Sequence, residues 1–400
     1  MNQTDQMDQT PRTCPSPPEV LPIGPDKPWL APLAGYSDLP FRLLCREMGA
    51  SVACTEMVSA KGLVLGQGRK NNATNELLAT HPPLKSPLKP PVKLDAAADT
   101  LGQGRFAPPE KVVPDSPLVV QLFGAESEFM EEAVRILVGC GYTWFDCNMG
   151  CSVPKVQKSG AGSALLQNPD RAVAVAEGML RAAGAGRVGF KLRLGRDAGE
   201  EVYLSLAGRL ADAGAGWITL HPRYAKQKFT GAADWKAVRP LVKALAVPVL
   251  VSGDLFTAAD GVRALEVTGA AGVMFARGAM HNPAIFRQFK NLLAGTAKTG
   301  EDGGRFADSA LLAYGIRRHA ELMRAFYPPR SNRQGIESAL LKMRSFVPRY
   351  VKECAGARHL RRAMAGCRSW EAMDALLDDF FAREEYLRLS PDAGKEGEET

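Results

Sequence analysis

The stretch Trp144–Pro169, WFDCNMGCSVPKVQKSGAGSALLQNP, decides how the rest of the chain is read. It opens as a short apolar run of strand character and then breaks into Asn-Met-Gly-Cys. A basic, glycine-rich segment follows. NPDRAVAVAEGML (168–180) then begins with an Asn cap and a first-turn proline, which predicts a helix. The unusual residues therefore fall in a strand-to-helix loop, where α/β enzymes carry their chemistry.

Similar runs recur on both sides of this loop. Strands are predicted at 28–35, 51–57, 117–124, 143–150, 188–195, 216–223, 247–254 and 271–278, most followed by an Ala/Leu/Val-rich helical pattern. Eight such repeats within about 260 residues have the size of an α/β (β/α)8 TIM barrel. An open doubly wound sheet is the rival, but no G-x-G-x-x-G follows the first strand. Most of these runs begin apolar, and six end in polar residues: Gln121, Asn148, Lys191, His221, Asp254 and Arg277. In a barrel all of these lie on the catalytic rim.

Composition bounds the remaining possibilities. With 400 residues, 46% of them hydrophobic, the chain can bury one large domain and a smaller one. No apolar run is long enough to span a bilayer, and the polar, Pro-rich residues 1–28 contain no signal-peptide core. A cytoplasmic protein, read as a monomer and not bound to a membrane, is the expectation. Eight scattered cysteines include no C-x₂-C pair and the five histidines no His-Glu-x-x-His, so no metal site is expected.

The domain reading follows. Residues 1–28 are expected to be a disordered tail, and 29–290 the barrel, interrupted at 77–116 by a Pro/Lys-rich surface insertion. Residues 305–388 form a small all-helical domain, and 389–400 a disordered acidic tail. Between 317 and 368 there are thirteen Lys/Arg against three Glu and no Asp, an excess that suits a polyanion if it shares one face.

The last two strand ends carry a further signal. VSGD (251–254) and FARGA (275–279) place Gly253 and Gly278 where backbone can approach a ligand, with Arg277 beside them. Loops after the seventh and eighth strands are the usual phosphate site of this architecture. Gln121 can pair with an amide-like ring edge. Lys191, inside the apolar VGFKLRL, calls for an anionic partner. FMN, whose reduced form is negative along its N1–C2=O edge, accounts for all three.

In order, LAPLAGYSDLPFRLLCREMGA (30–50), TEMVSAKGL (55–63), VQLFG (120–124), NMGCSVPKVQKSGAGSALL (148–166), FKLRLG (190–195), VSGDL (251–255) and ARGAM (276–280) resemble the bacterial, FMN-dependent tRNA-dihydrouridine synthase family. The resemblance implies an FMN barrel followed by a helical tRNA-binding domain. It implies that Pro32, Leu33 and Ala34 lie along the flavin, with Gln121 and Lys191 at its pyrimidine edge. His221 would sit near the flavin or the base. Ser252, Gly253, Asp254, Ala276 and Arg277 would hold the phosphate and ribityl chain. Asn148 would bind the uracil edge, Cys151 would be the catalytic acid, and Lys155 and Lys158 would meet the RNA backbone along the glycine-rich loop.

The implied reaction takes a hydride from NADPH (or NADH) to the flavin, then from flavin N5 to uridine C6, with a proton to C5. A thiol in ordinary surroundings keeps its proton at neutral pH, so it can serve as donor. Three departures from the family pattern stand out. Ser152 follows Cys151 where proline is usual, His221-Pro222-Arg223-Tyr224 replaces His-Gly-Arg-Thr, and Ser252 stands where Asn is common. Two other readings stay open: another FMN barrel acting on a free pyrimidine, and a tRNA-binding protein without redox chemistry.

Overall fold

The computed structural model describes residues 20–66, 112–296, 309–327 and 330–383. The expectations for residues 1–19, for 77–111 of the insertion and for the acidic tail lie outside these segments. Nine short strands form one parallel sheet: β1 (Trp29–Leu30), β2 (Val52–Cys54), β3 (Val58–Ser59), β4 (Leu118–Phe123), β5 (Trp144–Met149), β6 (Val188–Arg193), β7 (Trp217–His221), β8 (Val249–Ser252) and β9 (Gly272–Phe275). β1 pairs with β9 and β2, and β2 also pairs with β4, so the sheet closes. The fold is a TIM barrel.

The extra strand is an interruption rather than a ninth position. β2 and β3 both pair with β4, Ala53 opposite Leu118 and Val58 opposite Leu122. Between them, Thr55 Oγ1 accepts from Gln121 N (3.1 Å) and donates to Glu56 O (2.8 Å). A side chain thus replaces part of the ladder, and one predicted strand becomes two.

Alternate residues of each strand point into the barrel. At its N-terminal end these are apolar, with Trp29, Val52, Val119, Trp144, Trp217, Leu250 and Met274 in one cluster. The Trp29 and Trp217 rings meet edge-on, 5.5 Å apart. Gly189 on β6 is what makes room for them, because a Cβ there would lie 2.0 Å from Trp217 Cε2.

Residues 20–28, grouped above with the disordered tail, pack here instead. Leu21 is buried in the cluster and Trp29 Nε1 donates to Pro22 O (3.1 Å). The open barrel end supplies an apolar seat that this segment fills with Leu21, and Ile23 packs beside it.

Helices surround the barrel in the order α1 (Leu39–Glu47), α2 (Ala60–Val64), α3 (Ser127–Gly139), α4 (Pro154–Lys158), α5 (Pro169–Ala183), α6 (Tyr203–Asp212), α7 (Val238–Ala244), α8 (Ala258–Thr268), α9 (Arg277–His281) and α10 (Ile285–Leu293). Local sequence sets their ends. Asn168 caps α5 through Arg171 N, with Pro169 in its first turn, and Thr257 and Asp260 form a reciprocal capping box on α8.

The end of the predicted insertion, residues 112–116, also belongs to the fold. Val112 is buried, and Asp115 bonds Arg42 (2.7 Å) and Arg46 (2.8 Å) of α1, all three nearly inaccessible. The composition that marked this segment as surface loop did not reveal a carboxylate answering two arginines some seventy residues away.

Four further helices, α11 (Ser309–Phe326), α12 (Ser338–Tyr350), α13 (Ala357–Gly366) and α14 (Trp370–Ala382), follow the barrel. They dock on α1 through a buried ion pair, Arg318 to Glu47 (2.8 Å). Around it, Phe41 of α1 packs on Phe346 and His319. His319 Nδ1 bonds Tyr350 Oη (2.8 Å), and burial pushes the imidazole down to about 3, so it is neutral. Among the described residues, no helix is long and apolar enough to cross a membrane.

Candidate active site

Because all strands run parallel, their C-terminal ends share one rim, and the inward positions there turn polar. Register sets Gln121 opposite Asp146, Asn148 opposite Lys191, and Arg193 opposite His221. The strand-end residues predicted from β4 to β7 are therefore neighbours.

The loop after β5 is built around Cys151. Its N–H donates to Asn148 Oδ1 (2.9 Å), and its carbonyl accepts from Ser163 N (3.0 Å) and Ser163 Oγ (2.9 Å). Gly162 allows that approach; it has φ +63°, and a Cβ there would lie 2.7 Å from Cys151 O. The glycines of the loop thus fold it beneath the half-exposed cysteine. Pro154 starts α4, which carries Lys155 and Lys158 on the surface.

Beside this loop stands a belt of positive charge. Arg193 Nε donates to Gly150 O (2.9 Å), and its Nη1 to Tyr224 O and Lys228 O, tying the loops after β5 and β7 together. Arg223, almost fully buried, donates to Asp254 Oδ2 and Gly231 O, both at 2.5 Å. Arg223 Nη1 also lies 3.2 Å from His221 Nε2. A guanidinium only donates, so that nitrogen accepts and His221 carries its proton on Nδ1. Burial, with Lys191, Arg193, Arg223 and Arg277 nearby, keeps this histidine well below its ordinary range, so it is neutral.

Lys191 is half-buried and makes no hydrogen bond or salt bridge among the described residues. Burial and Arg193 push its ammonium down, and burial pushes the Asp146 carboxyl up. Four cations (Lys191, Arg193, Arg223, Arg277) face two carboxylates (Asp146, Asp254), leaving the mouth positive. Such a donor set suits an anionic ligand.

The residues after β8 and β9 divide their work. Arg277 bonds Asp254 Oδ1 (3.1 Å) and lies over the rings of Phe229 (4.5 Å) and Phe256 (4.8 Å). Asp254 also accepts from Ala233 N (2.8 Å), so its carboxylate serves to hold Arg223 and Arg277. Ser252 Oγ donates to Met274 O (3.0 Å) inside the barrel wall. Both side chains thus have protein partners at the strand ends. Ala276 precedes α9, and Pro32, Leu33 and Ala34 rim the mouth after β1.

Gly253 has φ +103°, and an added Cβ would meet His221 Cδ2 at 2.5 Å. Gly253→Ala is expected to cost roughly 1–3 kcal/mol through this strain. An unchanged melting temperature would show that His221 yields freely.

Four side chains of the site are not among the residues expected from the sequence to bind or react. Asp146 and Arg193 were legible, lying two residues from Asn148 and Lys191 on the same strand face. Arg223 was visible only as the arginine kept in the altered motif after β7, and the exposed Phe229, whose ring sits 6.4 Å from that of His221, gave no local signal.

Residues 29–87 and 94–385 match the family model Dihydrouridine synthase (Dus). The chain belongs to the dihydrouridine synthase family. Among its relatives, a Rhodobacter capsulatus protein named "Probable tRNA-dihydrouridine synthase" is 34% identical over 299 residues, 74% of this chain and 80% of that one. The tRNA-dihydrouridine synthase B of Xanthomonas campestris is 29% identical, covering 88% of this chain and 92% of its own length. Among solved structures, the old yellow enzyme homologue from Zymomonas mobilis covers 68% of this chain and 89% of its own, at TM-score 0.42 and 13% identity. That likeness is too remote to bear on chemistry.

As a dihydrouridine synthase the chain is an enzyme, and its basic surface can be described more closely. Arg317 and Arg324 pair with Asp378 and Asp374 of α14, and Arg318 is buried. The excess counted in the sequence is thus partly spent inside the helical region. Arg358, Arg362, Lys352 and Arg368 remain exposed on and beside α13, whose apolar side (Ala357, Leu360, Met364) is buried.

Proposed function

We propose that the protein reduces the C5–C6 double bond of uridine in tRNA to 5,6-dihydrouridine, using NADPH and FMN. The observation that carries the reading is the positive mouth, with Lys191 unpaired among the described residues and Cys151 beside it on a doubly anchored loop. Family membership supports the substrate.

FMN, when bound, would supply the hydride chemistry at uridine C6, with the nicotinamide as its reductant. The chain does the rest. Lys191 and Gln121 would hold the pyrimidine edge of the flavin. Arg277 and the backbone at Gly253 and Gly278 would hold its phosphate. Asp254 acts by fixing Arg277. Asn148 would bind the uracil edge, and His221 offers a donor from Nδ1. The Cys151 thiol gives its proton to C5, and the resulting thiolate recovers one from water, which reaches the half-exposed residue. A uridine inside folded RNA must leave its stack to arrive here. Lys155, Lys158 and the arginines of α13 would meet RNA phosphates, which makes binding weaken as salt rises.

The test uses the purified full chain, NADPH and tRNA transcripts lacking modification. Expected are a yellow preparation, NADPH oxidation that needs tRNA, and dihydrouridine in the product. Oxidation driven equally by free uracil, or a protein that binds tRNA but takes up no FMN, would overturn the reading.

A further inference from the structure

Three buried polar side chains at the mouth form a hydrogen-bond chain whose direction the backbone fixes at one end. At one end, Asn148 Oδ1 accepts from the main-chain N–H of Gly150 (3.2 Å) and Cys151 (2.9 Å). A backbone amide can only donate, so Asn148 must turn its oxygen toward the loop and its nitrogen away. That nitrogen donates to Gln121 Oε1 (2.9 Å), which obliges Gln121 to turn Nε2 outward. There it meets Asp146 Oδ2 at 2.6 Å. A carboxylate accepts, so the far end agrees with the near one. Neither amide can flip without setting two donors or two acceptors face to face in a buried place.

Each amide nitrogen of the chain keeps a second hydrogen beyond these bonds. The second N–H of Asn148 has only Met57 Sδ, 3.8 Å away, and a thioether is a weak acceptor. A carbonyl oxygen arriving at the mouth is a better partner. An amino group arriving there would meet donor with donor.

We propose that Asp146 is a positioning residue for base selection: through Gln121 it holds Asn148 with an N–H toward the mouth, so the site accepts a pyrimidine edge that offers a carbonyl and rejects one that offers an amino group. This rests on the reading above that Asn148 faces the target base. Set against position 4, where uracil carries an oxygen and cytosine an amino group, the device separates uridine from cytidine without any contact from Asp146 itself. The hydrogen bond that Asp146 makes in this site goes to Gln121.

Moving the carboxylate along the chain tests this. Asn148→Asp puts an acceptor on each side of Gln121, which has only one donor end, and should lower the melting temperature by several degrees. Asp146→Asn alone keeps an acceptor available and should cost less. The double variant lets the whole chain run in reverse, and should recover most of the loss in Asn148→Asp. In the flavin-loaded double variant, the relative affinity for transcripts with uridine or cytidine at the reduced position should shift toward cytidine, on the order of tenfold.

A double variant no more stable than Asn148→Asp, including the case in which both are insoluble, overturns the proposal. So does full rescue with an unaltered preference between the two transcripts. A wild-type protein that forms no dihydrouridine strikes the proposed function instead, and the melting cycle still decides the direction of the chain.

Discussion

Replacing Cys151 with alanine is expected to lower dihydrouridine formation by roughly 10²- to 10⁴-fold, the range that a positioned proton donor supplies. The geometry makes this a clean subtraction. The residue is fixed by its backbone, through Asn148 on one side and Ser163 on the other, and Gly162 packs against its main chain. Alanine keeps the Cβ and all of those bonds, so the loop should stay in place while the proton is lost. Flavin content and tRNA affinity should match wild type. Serine keeps a hydroxyl in the same place, but a hydroxyl is a far weaker acid than a thiol and should restore little. Single-turnover reoxidation of the reduced enzyme by tRNA is the measurement. A rate in the alanine variant within a few-fold of wild type would remove Cys151 from the chemistry.

The largest expected loss of stability lies away from the site, at Asp115. Its carboxylate is the shared partner of Arg42 and Arg46, and all three are buried. Asp115→Ala leaves two buried guanidiniums without it and is expected to cost about 3–5 kcal/mol at neutral pH. Arg42 retains Ser37 O and Arg46 retains Pro117 O, but neither bond carries the missing charge.

The pH dependence has a definite sign. Burial alone would raise the Asp115 carboxyl, but the two arginines hold it below the usual carboxylate range. Its folded pKa is thus lower than its unfolded one. The contribution is complete above about pH 4 and drains away as pH falls through the folded value. Chemical denaturation of wild type and variant should therefore show a gap that is constant near neutrality and narrows in acid. A gap that widens in acid, or a variant as stable as wild type, would contradict this account.

Both predictions depend on relations that run across the chain, and this separates what could be read early from what could not. Strand runs, the caps of α5 and α8, and the switch to helices after the barrel are local patterns. Alternation, cap residues and period are properties of neighbours in sequence, and they sufficed for the fold class. The motif residues Asn148, Cys151, Lys191 and Arg277 were legible for the same reason, since each interrupts its own apolar context.

What needed the tertiary structure is which partner each polar group meets. Asp146 looked like a strand residue until register set it opposite Gln121. Spacing alone leaves Asp254 a strand-end carboxylate without partners, and the tertiary structure puts Arg223 and Arg277 on its oxygens. Leu21 and Asp115 sat in segments of tail-like and loop-like composition, yet one fills the barrel end and the other neutralises α1. Sequence determined the barrel, the helical region and the residues proposed to react, because those follow from spacing along one chain. Only folding decided the ion pairs and the direction of the hydrogen-bond chain, because charge and donor–acceptor complementarity act between atoms that sequence leaves far apart.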